Sequence, residues 1–395
     1  MALVRAACLI WLWPRADALM APKKTARAQS RLAAAAKKQA SFACVLIGCG
    51  LPGRGMGWFH GLQLVEGACP AARLTDVVEP WFLGSGAETP AGQEFGALAR
   101  EWSSKYGVAF RPALDASTWA GTPLGSPRVA LISGRTAENP GLFRAALDAG
   151  ATHILLEKPG APSVSELKDL AALAAAKHVP VCMGFIKNLA PYFTRALTTA
   201  QAHPGALVTL VNFNDYTEAN LGECFERNSE GLLQNMAIHE LALAASFFGM
   251  TAKTVADVAV DSGACDLRTI GGLTDFVKVD FTLTNLDGTR LRIVADRCGG
   301  DNCAAVVSDA DGGVVLQELM VDAAAASSVA ARRAAHPTWI TYLLAQEPHY
   351  AALKERCAEA FVAGKVPDGV ATIQVAVDAL ELAEYLTPIL RAKLA

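Results

Sequence analysis

Three groups of residues in this chain combine types and spacings that could do chemistry. Gly48-Cys49-Gly50-Leu51-Pro52-Gly53 follows one apolar run, and Glu157-Lys158-Pro159 follows another. Asn235 and His239 lie four positions apart in a segment with a helical pattern. A glycine-rich turn after a buried strand can hold phosphates, whereas a lysine and a histidine can stabilise an alkoxide and move a proton. Together the groups predict a nicotinamide cofactor with a catalytic cation beside it.

The glycine-rich run has the spacing of a dinucleotide-binding turn. Gly48 would permit the tight turn, Gly50 the approach of a pyrophosphate, and Gly53 the close packing of strand and helix. We expect the whole run, with Leu51 and with Pro52 at an early helical position, to contact the cofactor. The alternative is a glycine-rich turn that holds no ligand.

Glu79 ends the next predicted strand. An acid at this place can accept hydrogen bonds from both ribose hydroxyls and repel a 2′-phosphate, which favours NAD over NADP. Arg54 leaves NADP open, because it could neutralise a 2′-phosphate. An exposed acid at a strand end is the other interpretation of Glu79.

Lys158 follows the buried run 153–156, at the strand end where ligands bind in open α/β sheets. There it could hydrogen-bond a substrate hydroxyl and stabilise a developing alkoxide. Asn235 and His239 would share one face of a helix, and His239 could exchange the hydroxyl proton. A lysine–proline turn and a histidine satisfied in the core are the alternatives.

The first part of the chain alternates between apolar runs and helical patterns, which predicts a doubly wound parallel sheet of the Rossmann type. We place this dinucleotide-binding α/β domain at 41–186, with 1–40 outside the fold. The expected strands are 43–47, 73–79, 108–110, 129–133, 153–156 and 179–184, and the expected helices are 95–106, 140–149 and 163–177.

Longer apolar runs from 187 to 395 predict a second α/β domain with a mixed, largely antiparallel sheet. Turn signals at 285–288 and 311–313 indicate hairpins. The Ala/Ser-rich segment 322–337 is expected to be a loop. The expected strands are 206–214, 254–261, 276–284, 290–296, 304–308 and 314–318, and the expected helices are 231–248, 342–363 and 370–393.

Residues 1–40 have the features of a targeting presequence. A short apolar core at 6–13 precedes Ala16-Asp17-Ala18, and the stretch 19–40 is basic and lacks acids. The junction resembles the bipartite presequences of algae with complex plastids, with Leu19 where those carry Phe. We expect import into a plastid; a mitochondrial presequence or a misplaced start, which would leave a cytoplasmic protein, are the alternatives.

Composition excludes several classes of partner. With 395 residues and a net charge of −3, the chain has no basic footprint for nucleic acid. Its apolar runs fall short of the roughly 20 residues of a membrane span. The 10 cysteines show no zinc-site spacing, so we expect reduced thiols and no metal.

From about Ala43 onward the chain resembles the Gfo/Idh/MocA family, which includes glucose–fructose oxidoreductase and inositol dehydrogenase. The resemblance rests on the glycine-rich turn, Glu157-Lys158-Pro159, Met183-Gly184-Phe185 with Pro191, and the 231–249 segment. It implies a Rossmann domain followed by a mixed-sheet domain that supplies the substrate floor and often the oligomer interface, in a homodimer or homotetramer.

The resemblance also implies a catalytic lysine, an aspartate, and a histidine four residues later. Carried over, these fall on Lys158, Asn235 and His239, so an amide replaces the carboxylate. Ser133, which begins Ser133-Gly134-Arg135-Thr136, stands where the family has Thr-Pro near the nicotinamide, and Glu157 precedes the lysine.

The implied activity is hydride transfer between NAD(P) and a hydroxyl or carbonyl carbon of a small polar metabolite, such as a sugar or cyclitol. Asn235 leaves a C=N or C=C reductase open. A non-catalytic dinucleotide-binding regulator and a nicotinamide-dependent glycosidase are the further alternatives.

Overall fold

The computed structural model describes residues 42–115, 117–120, 122, 125–363 and 367–394. The expected presequence at 1–40 lies outside them. None of the helices within these residues is long and apolar enough to cross a membrane.

A six-stranded, wholly parallel sheet forms the first half of the fold, in the order β3-β2-β1-β4-β5-β6. The central strands β1, β4 and β5 are almost entirely buried, because helices cover both faces. The doubly wound Rossmann architecture is therefore confirmed. Its strands are β1 (Phe42–Ile47), β2 (Ala72–Val78), β3 (Ala109–Arg111), β4 (Arg128–Ile132), β5 (His153–Leu156) and β6 (Val181–Met183).

The second sheet is mixed, as expected. Its order is β13-β12-β7-β11-β10-β8 with β9 paired to β10, and only β7 and β11 run parallel. Turns at 286–288 and 310–312 join two antiparallel hairpins where the sequence predicts them. The strands are β7 (Leu207–Phe213), β8 (Val255–Val260), β9 (Asp266–Ile270), β10 (Leu273–Asn285), β11 (Arg290–Asp296), β12 (Asn302–Ser308) and β13 (Val314–Leu319).

The helices correct the sequence interpretation in several places. Helices at 191–202 and 221–227 were not predicted, and the helix expected over 231–248 is two helices interrupted at Met236-Ala237. The helices are α1 (Met56–Val65), α2 (Pro90–Tyr106), α3 (Asn139–Asp148), α4 (Val164–Ala176), α5 (Pro191–Ala202), α6 (Leu221–Arg227), α7 (Leu232–Asn235), α8 (Ile238–Phe248), α9 (Ala323–Ala335), α10 (Thr341–Ala363) and α11 (Ile373–Leu394).

The expectation of a loop over 322–337 is wrong, because α9 occupies most of that segment. Asp322 is its N-cap, and the Oδ1 of Asp322 accepts a hydrogen bond of 2.8 Å from the backbone N–H of Ala325. Alanine has the best helix propensity, so an alanine-rich stretch after a capping aspartate is a helix signal.

The long helix α10 returns from the second sheet to the first. Tyr350, Leu353 and Phe361 on α10 are buried in the same apolar cluster as Phe42 of β1 and Phe59 of α1. The boundary between domains at 186/187 stays a prediction, but the core of the first sheet includes this helix from the C-terminal part of the chain.

The glycine-rich turn is longer than the sequence interpretation assumes. Helix α1 begins at Met56, so Pro52 lies in the turn before it and not in a first helical position. Gly57, and not Gly53, is the glycine that lets helix and strand approach: a Cβ on Gly57 would lie 1.9 Å from the carbonyl oxygen of Gly48. A Cβ on Gly53 would instead meet the Trp339 ring at 2.9 Å.

We therefore predict that Gly57→Ala destabilises the protein, because the added methyl group collides with backbone that cannot move aside. The expected loss in the free energy of unfolding is about 1–3 kcal/mol, measured by urea denaturation. Gly141→Ala in α3 is the matched control, since a Cβ there meets nothing within 4 Å. It should be neutral or stabilising by about 0.5–1 kcal/mol. Equal behaviour of the two variants would contradict this packing role.

Candidate active site

One cleft of about 510 Å³ brings together the three predicted catalytic residues, Lys158, Asn235 and His239, with Ser133 and Glu157. Among the described residues, Glu79 and the run from Gly48 to Gly53 do not line it. Arg54, Met56, Ser133 and Gly134 lie on the side of the glycine-rich turn. The other side carries residues from both sheets and their helices: Glu157, Lys158, Lys187, Asn212, Asn235 and His239. The cleft opens at the carboxyl ends of the parallel strands, where ligands bind in doubly wound folds.

The turn itself fits a dinucleotide. Gly48, Gly50 and Gly53 have φ angles of 81°, 70° and 71°, the left-handed region that favours glycine. A Cβ on Gly48 would lie 2.6 Å from the backbone nitrogen of Gly134, so the loop after β4 packs directly on the turn. Between the described residues, no hydrogen bond joins the N–H of Leu51 or Gly53 to another group. These donors, and the N-terminus of α1, are suited to phosphate oxygens.

Glu79 lies just after β2 and is buried, which excludes the interpretation as an exposed acid. Its Oε2 accepts hydrogen bonds from the backbone N–H groups of Cys49 at 2.8 Å and Gly50 at 3.1 Å. Burial raises the pKa of Glu79, while these N–H groups oppose the rise. The carboxylate therefore braces the turn, a role that its position in the sequence does not reveal.

Lys158 lies in the turn directly after β5, and its side chain reaches across the cleft. Its Nζ donates a hydrogen bond of 2.8 Å to the backbone carbonyl of Asn235. Burial lowers the pKa of Lys158, and the negative charges of Glu157 and Glu230 oppose that shift. Since an ammonium has three donors, the contact with Asn235 leaves capacity for a substrate oxygen.

Asn235 and His239 were expected to share one face of a single helix, but they lie in two different helices. Asn235 is the last residue of α7, whereas His239 lies in the first turn of α8, after the interruption at Met236-Ala237. Both nevertheless line the cleft. The Nδ2 of Asn235 donates a hydrogen bond of 2.8 Å to the Oε1 of Glu230.

His239 is buried, and its ring packs edge-on against Phe185 with the centroids 5.7 Å apart. Burial, together with the charges of Lys158 and Lys187, lowers the pKa of His239 well below its ordinary value. The imidazole is therefore neutral near pH 7. Its Nδ1 is buried and finds no partner among the described residues. Such an atom in a cleft wall is typical of a site that a ligand or water completes.

A second lysine in the cleft wall was missed in the sequence. Lys187 is fully buried, and its Nζ lies 2.6 Å from the Oε1 of Glu240. Asn212 on β7 donates to the other Glu240 oxygen at 3.0 Å. Glu240 adjoins His239 in α8, so this pair fixes the helix that carries the histidine. Buried charges of this kind require such pairing.

Behind the cleft lies a buried chain of three ionisable groups. His60 Nε2 lies 2.8 Å from the Oε1 of Glu157, and His60 Nδ1 lies 2.8 Å from the Nζ of Lys354 on α10. Burial and the charge of Lys354 lower the pKa of His60 to about 4, against the opposing effect of Glu157. Burial also lowers the pKa of Lys354 to about 8. The contact with His60 thus holds the carboxylate of Glu157 in place. Neither His60 nor Lys354 had a periodicity or motif that marked it as part of the site.

The low pKa of His60 predicts a loss of stability in acid. In the unfolded chain this histidine gains a proton near pH 6.5, whereas in the folded protein it stays neutral down to about pH 4. The free energy of unfolding should therefore fall as the pH drops from 6.5 to 4, by up to about 3 kcal/mol from this group. Urea denaturation across this range should show a shallower dependence for His60→Gln.

His203→Gln is the control for this measurement, because His203 is exposed at the end of α5. Its pH dependence should match that of the unaltered protein. A His60→Gln slope as steep as the unaltered one would show that His60 does not titrate as described.

Comparison with known proteins identifies a related family for part of the parallel-sheet region. Residues 96–185 match the family model described as "Oxidoreductase family, NAD-binding Rossmann fold", the Gfo/Idh/MocA family. A search of curated protein sequences finds no match.

Solved structures extend the likeness over most of the chain. Scyllo-inositol dehydrogenase from Lactobacillus casei, with bound NAD(H) and scyllo-inositol, is 14% identical, with a TM-score of 0.62 over 89% of this chain and 98% of that one. UDP-N-acetylglucosamine 3-dehydrogenase from Acidithiobacillus ferrooxidans is 18% identical, with a TM-score of 0.60 over 90% and 99%. GenD2 from gentamicin A biosynthesis, in complex with NAD, is 16% identical, with a TM-score of 0.64 over 90% and 95%.

At these identities the solved structures show a shared two-sheet fold, while the family model identifies the parallel-sheet part. Residues 96–185 of this chain are thus similar to the Gfo/Idh/MocA oxidoreductases, a family with an NAD-binding Rossmann fold.

Proposed function

We propose that the protein is an NAD-dependent dehydrogenase that oxidises a CH–OH group of a polyol, sugar or sugar derivative, or catalyses the reverse reduction. The observation that carries this proposal is the convergence of Lys158, Asn235 and His239 in one cleft, which Arg54 and Met56 also line directly after the glycine-rich turn. The turn would hold the dinucleotide phosphates, and the three side chains lie where a small hydroxylated molecule would meet the nicotinamide.

In the oxidation direction, neutral His239 accepts the proton of the substrate hydroxyl, since its lowered pKa leaves it free to do so. The Lys158 ammonium donates a hydrogen bond to the same oxygen and stabilises the alkoxide that forms. Asn235 orients the substrate through its amide. NAD, when bound, supplies the acceptor for the hydride that leaves the carbon. Reduction uses the same groups with the proton moving from histidine to oxygen.

The choice of NAD over NADP rests on Glu79. Its buried carboxylate stands at the end of β2 and carries negative charge next to the turn, which disfavours a 2′-phosphate. Arg54, the cation that could compensate, is paired with Glu94 at 2.5 Å. NAD is therefore the cofactor we propose.

A reductase of C=N bonds is the second candidate. Asn235 is the observation that favours it, because a neutral amide replaces the carboxylate that the resemblance leads one to expect. Two assays separate the candidates: NAD-dependent oxidation of CH–OH groups tests the dehydrogenase, and NADH-dependent reduction of imines tests the reductase.

Assembly as a homo-oligomer is part of the proposal. The edge strand β13 exposes Val314, Val315 and Leu319, whose exposed fractions are 64%, 39% and 38%. Exposed apolar side chains on a sheet edge are suited to contact with a second copy of the chain.

The catalytic assignment predicts a specific loss of turnover. NAD reduction, followed by absorbance with a panel of cyclitols, free sugars and nucleotide sugars, should reveal a substrate for the unaltered protein. Lys158→Met and His239→Gln should each lower kcat/KM for that substrate by about 100-fold or more, because each removes a group that acts on the reacting hydroxyl. Both variants should still bind NADH, as measured by calorimetry.

Lys177→Met serves as the control, since this lysine is exposed at the end of α4 and its Nζ lies 3.4 Å from the Oδ1 of Asp148. It should leave turnover unchanged. Dinucleotide binding without turnover of any tested substrate would point to a regulator, and hydrolysis of a glycoside without net NADH would point to a glycosidase. Full activity of Lys158→Met would overturn the catalytic assignment.

A further inference from the structure

We propose that Glu230 is a positioning residue of this site: it fixes the amide of Asn235 and supplies the carboxylate charge that position 235 lacks. The proposal rests on the proposed function for its catalytic part. It adds a residue that lies outside the lysine, asparagine and histidine considered so far.

The contact that carries the inference is a single short hydrogen bond. The Nδ2 of Asn235 donates to the Oε1 of Glu230 over 2.8 Å. Gly231, which follows Glu230, has a φ of 95° and begins the turn into α7. This reversal brings Glu230 back against the end of the same short helix. The two side chains that form the hydrogen bond are thus brought together by the local backbone turn.

The entrance to α7 is itself rigidly held. The carboxylate of Asp275 accepts the backbone N–H of Leu232 at 3.0 Å and pairs with buried Arg297 at 2.6 Å. Glu230 and Asn235 thus stand at the two ends of a helix whose start is fixed by a buried ion pair. The fold therefore fixes the distance between Glu230 and Asn235.

The hydrogen bond decides which polar atom Asn235 can offer to a ligand. Since its Nδ2 is engaged by Glu230, the amide is oriented, and its Oδ1 has no hydrogen-bond donor among the described residues. Oδ1 is then available as an acceptor. Asn235 would accept a hydrogen bond from a substrate hydroxyl, much as a carboxylate would, without a second negative charge at the same place.

Glu230 also acts on the lysine. Lys158 Nζ is bonded to the backbone carbonyl of Asn235, so Glu230, Asn235 and Lys158 form one contiguous group. The charge of Glu230 raises the pKa of Lys158 against the lowering effect of burial. After Glu157, the carboxylate at position 230 is thus the next one that favours the charged lysine.

This arrangement explains why position 235 is an amide in this chain. An aspartate there would place two carboxylates within hydrogen-bond distance of each other, and like charges so close cannot both ionise without cost. If the proposal is correct, the two groups can exchange places: a glutamine at 230 could donate to an aspartate at 235 and restore both the hydrogen bond and the single charge.

The test is the exchange itself, in the full chain. Urea denaturation without any ligand is measured for the unaltered protein, Asn235→Asp, Glu230→Gln and the double variant. We expect Asn235→Asp to lower the urea midpoint and the addition of Glu230→Gln to raise it again. Glu226→Gln, at an exposed position on α6, is added to Asn235→Asp as the control and should give no recovery. Additive effects of the two exchanges would overturn the pairing of Glu230 with Asn235.

The catalytic part is tested with the substrate found in the screen. Glu230→Gln should lower kcat/KM by about tenfold, because the hydrogen bond from Asn235 then has a neutral acceptor and the negative charge near Lys158 is lost. It should also move the alkaline limb of the kcat/KM profile to lower pH, because loss of a negative charge lowers the pKa of Lys158. The double variant should recover most of the lost activity.

A structural defect alone would not move the alkaline limb, so an unshifted limb in Glu230→Gln would overturn the role of Glu230 toward Lys158. If the unaltered protein oxidises none of the substrates, the proposed function fails, but the unfolding experiment still decides whether Glu230 and Asn235 act as a pair.

Discussion

The site depends on the hydrogen bond from the Lys158 ammonium to the backbone carbonyl of Asn235. Lys158 belongs to the parallel sheet, whereas Asn235 belongs to the helices that pack beside the second sheet. A lysine removed from water needs an oxygen partner, and here the partner is the exposed carbonyl end of the short helix α7. The carbonyl is free because the helix ends at Asn235. The break between α7 and α8 is thus what lets the two halves of the cleft meet.

Buried ion pairs hold the side chains around this hydrogen bond in place. Lys187 and Glu240 fix the helix of His239, and His60 with Lys354 holds Glu157. Buried charges contribute little net stability, but each is costly to leave unpaired, so such pairs favour one arrangement over others. Helix α10 brings Lys354 into the core of the first sheet, and the two parts of the chain are joined there as well as at the cleft.

Much of the architecture follows from local patterns in the sequence. The alternation of apolar runs with helical segments predicts the parallel sheet, and the turns at 285–288 and 311–313 predict two hairpins, because these signals act over a few residues. The glycine-rich turn and Lys158 could be recognised for the same reason. Segment 322–337 could have been predicted as a helix, since Asp322 and the alanines that follow are a cap and strong helix formers.

Other features depend on distant residues and could not be predicted from spacing. The close packing at Gly57 needs the carbonyl of Gly48 above it, and the bracing role of Glu79 needs the turn to fold back on β2. His60 has no motif; its partner Lys354 lies 294 residues away. The break at Met236-Ala237 interrupts a segment whose apolar periodicity is that of one continuous helix, so periodicity alone predicts the wrong placement of Asn235 relative to His239.

The central claim is that the cleft holds a nicotinamide dinucleotide on the turn from Gly48 to Gly53. Two tryptophans serve as reporters, since Trp58 lies in α1 and Trp339 packs on Gly53, with their rings 4.8 Å apart. Excitation of tryptophan during titration with NADH should give saturable energy transfer to the bound cofactor, stronger than with NADPH. Gly50→Val should abolish the transfer while circular dichroism shows a folded protein. A folded, unaltered protein that gives no saturable transfer with either dinucleotide would contradict the account.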